Sequence, residues 1–383
     1  MSNLDLTIAE IMHGDTQVLK IMKGDSKVWP SGDIAIVLVN ISHATCSIGT
    51  SRIALHSAFS ETLLPETSCI MTSVTVTMGG VDITSTAYDS SDGSLTIADV
   101  TGDIIITATA VEVITFEDAN VKSICVSNWG GGVIPGEITP AEAAEVTTLS
   151  NKFYANSSIT KFNELKYFTG LTSLYSRIVS SYAAGQFYNC TGLTEITMPA
   201  SSNLKDLRGA FRGCSNVNFS ELDITPLANN GLDLATAFRD MRVPKIIIPG
   251  VKYGTSTWYY TFRCNQANNT YAKLTTITVD GTADFSNVTF PSNCFNNQQD
   301  LKNIEGNWTN IKSNLDIHYC PLTVASAIIL LNGLYDFIGN SSSTRRTITF
   351  KSSLQATFEA NSDFIAAKTA AEAKGWTIAY QSS

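Results

Sequence analysis

The 383-residue chain is poor in charge: Asp, Glu, Lys and Arg make up only 15%, and the balance is acidic at −9. Its 25 basic residues form no stripe along the sequence. That argues against nucleic acid, whose phosphates are bound by clustered Lys and Arg. No run approaches the roughly 18 apolar residues of a membrane span, so no membrane insertion is expected. The start, MSNLDLTIAEI, lacks the basic and apolar regions of a secretory leader. The eight cysteines never form a CxxC pair and are mostly 24 or more residues apart. Zinc sites want ligands close in sequence, so no metal is expected, and reduced, buried, small-hydrophobe cysteine is the reading. His13, His43, His56 and His318 are scattered, and no G-x-S-x-G, H-E-x-x-H or P-loop motif occurs. Neither an enzyme nor a cofactor is expected.

What is present is a hydrophobic fraction of 44% and a polarity carried largely by Ser, Thr and Asn, a composition that suits β-rich surface proteins. The length predicts two or three domains. Residues 1–31 hold a direct repeat, IMHGDTQV (11–18) and IMKGDSKV (21–28). Each unit flanks a Gly-Asp turn with apolar residues and reads as a small β-hairpin. Residues 32–111 are strand-like throughout: IAIVLVNI (34–41) is nearly continuous apolar, while SVTVTM (73–78) and SLTIADV (94–100) alternate. Several short strands with Gly79-Gly80 and Asp92-Gly93 turns predict a small β-sandwich.

Residues 112–320 repeat a clause. A lead-in phenylalanine recurs at Phe187, Phe211, Phe238, Phe262 and Phe295. Extended runs lie between: LTSLYS (171–176), LTEITMP (193–199), VNFSELDI (217–224), VPKIIIPG (243–250), LTTITVDG (274–281) and LKNIEGNW (301–308). The irregular period, roughly 22 to 33 residues, fits a leucine-rich-repeat solenoid whose units bury their apolar faces only on each other. Cys190 and Cys214 stand three places after a Phe and Met241 takes the same place, which reads as an inward packing position. On that reading Cys190→Ser, a buried hydroxyl, costs more than Cys190→Ala. Residues 321–383 change period: Val324, Ile328, Leu331, Tyr335 and Ile338 predict a helix ending at Gly339. TITF (347–350), an Ala-rich helix through 363–374 and the strand WTIAY (376–380) complete a small α/β cap. The fold class expected is therefore mainly β and multidomain.

Residues 112–383 resemble the BspA-like leucine-rich-repeat proteins of Bacteroidales and their crassvirus-like gut phages. The likeness rests on ITFEDANVKSICVSNW (114–129), FNELKYFTGLTSL (162–174), the FxxC units, PLTVASAIILLNGLYDF (321–337) and KGWTIAY (374–380). The stretch 74–110 is similar to an Ig-like module of phage tail and fibre proteins, and the doubled IMxGDxxV to their short N-terminal β-repeat. The resemblance implies a phage virion protein displayed on the particle exterior, a tail or head fibre or tail-associated adhesin that attaches to a host-surface glycan or protein. Two alternatives stay open: a purely structural decoration or joining protein, and a glycan-degrading tailspike. Where family members carry a calcium loop after Asn-Trp, this chain reads WGGGVIPGEITPAEAAEV (129–146), with glycine at the carboxylate positions. A lapsed calcium site is expected, with Thr139 and Glu142 forming a capping box for a helix at 140–146.

For binding, TSTWYYTF (255–262) sets Trp258, Tyr259 and Tyr260 in a row; flat rings with a hydrogen-bonding edge suit sugars and protein hot spots. Tyr175, Arg177, Tyr182, Tyr188 and Trp308 are further candidates. Glu164, Asp206, Glu221 and Asp240 are the carboxylates a glycosidase would have to pair, and His318-Tyr319-Cys320 the one Cys-His neighbourhood. An isolated hairpin is marginal in water. The apolar residues Ile11, Val18, Ile21, Val28 and Trp29 therefore predict that residues 1–31 attach to another virion protein or to a second copy of the chain.

Overall fold

The structure, a computed structural model, describes residues 21–23, 26–29, 34–201, 203–216, 218–264 and 274–382. It is mainly β, built from several small sheets with few helices, and it divides into two compact units at Val113 and Ile114. In the second IMxGDxxV unit, Ile21–Lys23 pairs antiparallel with Ser26–Trp29. Ile21 lies on the first strand, Val28 and Trp29 on the second, and Ile11 and Val18 lie outside the described residues.

The first unit holds a five-stranded and a three-stranded sheet. Ile104–Glu112 sits centrally, parallel to Ile34–Ser42 and antiparallel to Cys69–Met78. Its sequence, IIITATAVE, alternates buried and exposed along most of its length, as a half-buried strand must. Val37, Val76, Ile104 and Ile106 of the larger sheet share one core with Phe59, Leu63, Leu95 and Ile97 of the smaller. Gly79 and Gly80, at φ +57° and +82°, make the reversal after Met78 that a β-branched residue would resist.

The second unit opens with the helix Ala119–Trp129, capped by Asp118. The Asp118 carboxylate accepts from the Asn120 and Val121 N–H groups and from the Thr160 N–H and hydroxyl at 2.6 and 2.7 Å. Burial pushes this carboxyl up, but the Thr160, Asn120 and Val121 hydrogen bonds outweigh it and hold it below its ordinary range. The capping box is present: Thr139 and Glu142 exchange hydrogen bonds across the start of Pro140–Ala144.

Beyond this the chain climbs in parallel steps. Glu221–Asp223, Lys245–Lys252, Thr276–Asp284 and Asn303–Thr309 form one parallel sheet in sequence order. Each phenylalanine starts a turn that stacks on the next: ring centroids lie 5.6 Å apart for Phe187–Phe211, 6.4 Å for Phe211–Phe238, 5.6 Å for Phe238–Phe262 and 5.2 Å for Phe262–Phe295. Phe153, unmarked in the sequence reading, joins below Phe187 at 5.8 Å.

Backbone bonds tie these rungs. The N–H two places after each Phe donates to the carbonyl one place after the next Phe: Asn189 to Arg212, Gly213 to Arg239 and Asp240 to Arg263, each at 2.9 Å. That donor position requires a left-handed backbone, with φ of +54° at Asn189, +77° at Gly213, +57° at Asp240 and +63° at Asn297. Asn, Gly and Asp adopt it most cheaply.

The cysteine three places after Phe is a donor as well as a packing group. The Cys190 thiol donates to the Phe153 carbonyl and the Cys214 thiol to that of Phe187, both at 3.0 Å. Gln298, three places after Phe295, donates to the Phe262 carbonyl in the same way. This corrects the expectation that a serine here would lack a partner: its hydroxyl has a carbonyl in reach, and alanine has nothing to give. All eight cysteines are free, and burial pushes the Cys190 thiol up to about 12.

Two expectations on elements change. Ser173 of LTSLYS makes only a parallel bridge to Asp206, while Tyr175–Val179 leaves the climb and folds antiparallel on Tyr182–Gly185. The turn residues Ser180 and Ser181 have φ of +49° and +70°, the tight hairpin geometry that matches strand twist. The helix expected to reach Ile338 spans Val324–Asn332 and stops at Gly333. There a Cβ would stand 2.3 Å from the Trp308 carbonyl, and Tyr335 already donates its N–H to Ile311. The pattern was helical, but close packing on the preceding strand ends the helix early. Arg346–Lys351 and Trp376–Gln381 continue parallel pairing from Leu315–Asp316, and Phe350, Phe364 and Trp376 belong to the same core as the phenylalanine rungs.

Candidate functional site

The residue one place after each Phe leaves the core, and these positions carry Tyr154, Tyr188, Arg212, Arg239, Arg263 and Asn296. Stacking the rungs stacks these side chains. Tyr154 lies on Tyr188 at 5.1 Å, with the Arg177 guanidinium 4.1 Å over the Tyr154 ring and Arg212 at 5.1 Å over Tyr188. The Ser180-Ser181 hairpin carries Tyr182 across to the Tyr260 ring, at 4.9 Å, edge to face. Arg239 stands 4.3 Å from the Tyr182 ring and 4.8 Å from that of Tyr260, and Arg263 is also 4.8 Å from Tyr260. Four tyrosines and four arginines thus run in continuous contact along one face. The fold builds a basic stripe that the linear sequence does not display.

Its electrostatics are lopsided. Asp240 pairs with Arg239 at 3.2 Å, and among the described residues no carboxylate lies within 4 Å of Arg177, Arg212 or Arg263. Arg212 is only 8% exposed. Its Nη1 donates to the Val179, Tyr182 and Ala183 carbonyls. Burial, then the like charge of Arg239, hold Arg212 below the usual guanidinium range. Arg239 Nη1, Asp240 Oδ1 and Arg263 Nε are buried without a hydrogen-bond partner among the described residues. The Tyr182 hydroxyl donates to that of Tyr260 at 3.4 Å, a bond that lowers the Tyr260 phenol and raises that of Tyr182. Beside Arg212 a cavity of about 280 Å³ opens, lined by Tyr188, Asn189, Thr191, Arg212, Ser215 and Asp240.

Comparison with family models, curated proteins and solved structures returns no match.

The three residues of the Trp-Tyr-Tyr row part company. Trp258 is wholly buried among Tyr253, Phe262, Phe285 and Phe290, so it is core and not a binding residue. Ser256–Thr257 pairs with Val288–Thr289 and the Trp258 N–H continues that ladder to the Thr289 carbonyl. Its side chain is thereby committed inward. Tyr259 is 51% exposed, and Tyr260 is the half-buried member of the face described above. Trp308 is likewise core, its ring 4.7 Å from Phe285. Tyr175 carries Arg208 at 4.3 Å, itself held by Asp206 at 2.8 Å. Arg212, Arg239 and Arg263 were missed as site residues. The signal that would have found them is the Phe-Arg dipeptide, written three times at 211–212, 238–239 and 262–263.

The remaining candidates are engaged elsewhere. Glu221 pairs with Lys245 at 3.1 Å, while buried Glu164 accepts from the Glu117 N–H at 2.9 Å. His318 Nδ1 lies 2.5 Å from Asp316. Burial drives the Cys320 thiol well up, opposite to what a nucleophile needs. In the 129–142 loop, Glu142 accepts from the N–H groups of Gly132, Val133 and Thr139, and Glu137 pairs with Lys122 at 2.7 Å. A carboxylate thus ties the loop from within. In the first unit His43, Glu66 and Cys69 bring ligand atoms within 4.8 Å of one another, a grouping the sequence spacing did not suggest. Burial and the nearby Glu66 and Glu112 push the Cys69 thiol up. Another cavity, of about 650 Å³, is lined by hydroxyls and amides together with Lys312, Asp316 and Arg346, and no tyrosine borders it.

Proposed function

We propose that this chain is a non-enzymatic virion protein of a Bacteroidales phage, a tail or head fibre or tail-associated adhesin that attaches to the host surface. On this reading residues 114–383 are an irregular leucine-rich-repeat solenoid with an α/β cap, residues 34–113 an Ig-like spacer, and residues 1–31 the segment joined to other virion proteins. The observation that carries it is the tyrosine–arginine face. Four contiguous tyrosines, one pair stacked and one edge to face, present amphipathic area at low entropic cost, and arginines between them supply fixed donors, the composition of a recognition surface. The sequence resemblance supports the virion setting.

Two experiments test the reading. Immunogold labelling or mass spectrometry of purified particles should find the chain on the virion, and its absence there overturns the proposal. Deleting residues 2–30 should leave a folded, soluble protein that no longer assembles onto particles; normal incorporation would move the anchor elsewhere.

A further inference from the structure

We propose that the cavity beside Arg212 takes an acidic saccharide, a pyranose ring bearing a carboxylate, with Arg212 holding the acid group and the stacked Tyr154 and Tyr188 carrying the chain of sugars along the face. This rests on the attachment reading and names its ligand class.

Arg212 is the reason for the acid. It is 8% exposed, it crowds a second arginine, and no carboxylate lies within 4 Å of it among the described residues. A buried charge with no carboxylate in contact is costly, and Asp240 on the same cavity wall offsets it only from beyond 4 Å. The three carbonyls on Nη1 fix the guanidinium and leave Nε and Nη2, which make no hydrogen bond among the described residues. A planar fork of that kind matches a carboxylate.

The other walls are the reason for a sugar. Thr191, Ser215, Asn189 and Asp240 offer hydroxyl, amide and carboxylate partners within one cavity of about 280 Å³, a mixture that matches vicinal ring hydroxyls and is the size of one pyranose. A polyphosphate would meet Asp240 on the cavity wall and, farther along, Asp206 and Asp233 beside Arg208, on a chain whose net charge is −9. A sugar carrying one acid per residue or fewer needs one strong cation per subsite, and Arg212 supplies it in this cavity.

The test uses the full chain with paired polymers: polygalacturonate against its methyl-esterified form, and polysialic acid beside them to separate uronate from sialate. The account expects either acid polymer to bind at least about tenfold tighter than the esterified one, with affinity falling as salt rises. Arg212→Gln, assayed below its own transition, should abolish the preference, and Arg212→Lys should recover part of it. Because the acid-versus-ester comparison needs no variant, it decides the matter even if Arg212→Gln fails to fold. Equal binding of acid and ester, or no binding of any acid polymer, overturns the inference. Tighter binding of an acidic peptide or an oligonucleotide than of the polysaccharides also overturns it. In each of those cases binding of the purified chain to host cells, measured alongside, reports separately on the attachment reading: cells bound without acid preference leave attachment standing, and cells unbound remove it.

Discussion

Three places after three of the stacked phenylalanines the side chain is buried and its task repeats: Cys190, Cys214 and Gln298 each donate to the Phe carbonyl of the preceding rung, while Met241 at the same place only packs. One place after the same phenylalanine the side chain leaves the core, and its identity changes from tyrosine to arginine to asparagine. The backbone at that outer position is nonetheless held by the same bond, its carbonyl accepting from the rung before. At Phe153 and Phe187 the inner position thus adds a second donor to a buried carbonyl that already accepts a backbone N–H. The outer position varies from rung to rung, and on the proposed reading it specifies the attachment surface.

That contrast can be broken or sharpened by substitution. Phe211→Ala removes a wholly buried ring stacked at 5.6 and 6.4 Å on its neighbours and should cost about 3–5 kcal/mol, read as a lower denaturation midpoint. Asp118→Asn should cost about 2–3 kcal/mol at neutral pH, since it replaces a carboxylate taking several charge-assisted bonds. Asp118 titrates lower when folded than its ordinary 3.8, so its stabilisation is complete above that value and is lost as pH falls through the folded one. The gap between wild type and Asp118→Asn should therefore be full well above 3.8 and close as pH falls through the lower folded value; a gap constant with pH would contradict the hydrogen-bonded carboxylate.

Smaller effects separate the two sides of the turn. Cys214→Ala leaves the Phe187 carbonyl with the Cys190 N–H as its remaining donor and should cost about 1 kcal/mol, with Cys214→Ser the milder change. Serine behaving worse than alanine would remove the donor role and return the position to packing alone. Reductant should leave the melting temperature unmoved, because all eight cysteines are free.

The amino-acid pattern made the rungs visible because the lead-in phenylalanine is fixed by a local demand, a ring for the core; the left-handed residue two places later was not read from the sequence. It made the cap strands and the Thr139 capping box visible for the same reason. The extent of the helix after Val324 was not legible, since Gly333 answers to the Trp308 carbonyl on a distant strand. The inward turn of Trp258 was hidden likewise by the pairing of Ser256–Thr257 with Val288–Thr289. The arginine stripe was legible only in part: Phe-Arg recurs openly, but Tyr182 reaches it through a hairpin inserted in the climb.

The central claim is that the outer positions decide attachment while the inner ones decide stability. Adsorption of the purified chain to host cells tests it most directly, comparing wild type, Cys214→Ala and the triple change Arg212→Gln, Tyr260→Ala and Arg263→Gln. The account predicts that Cys214→Ala adsorbs like wild type below its transition, and that the triple variant, assayed while folded below its own transition, fails to adsorb. Undiminished adsorption by the folded triple variant would contradict it.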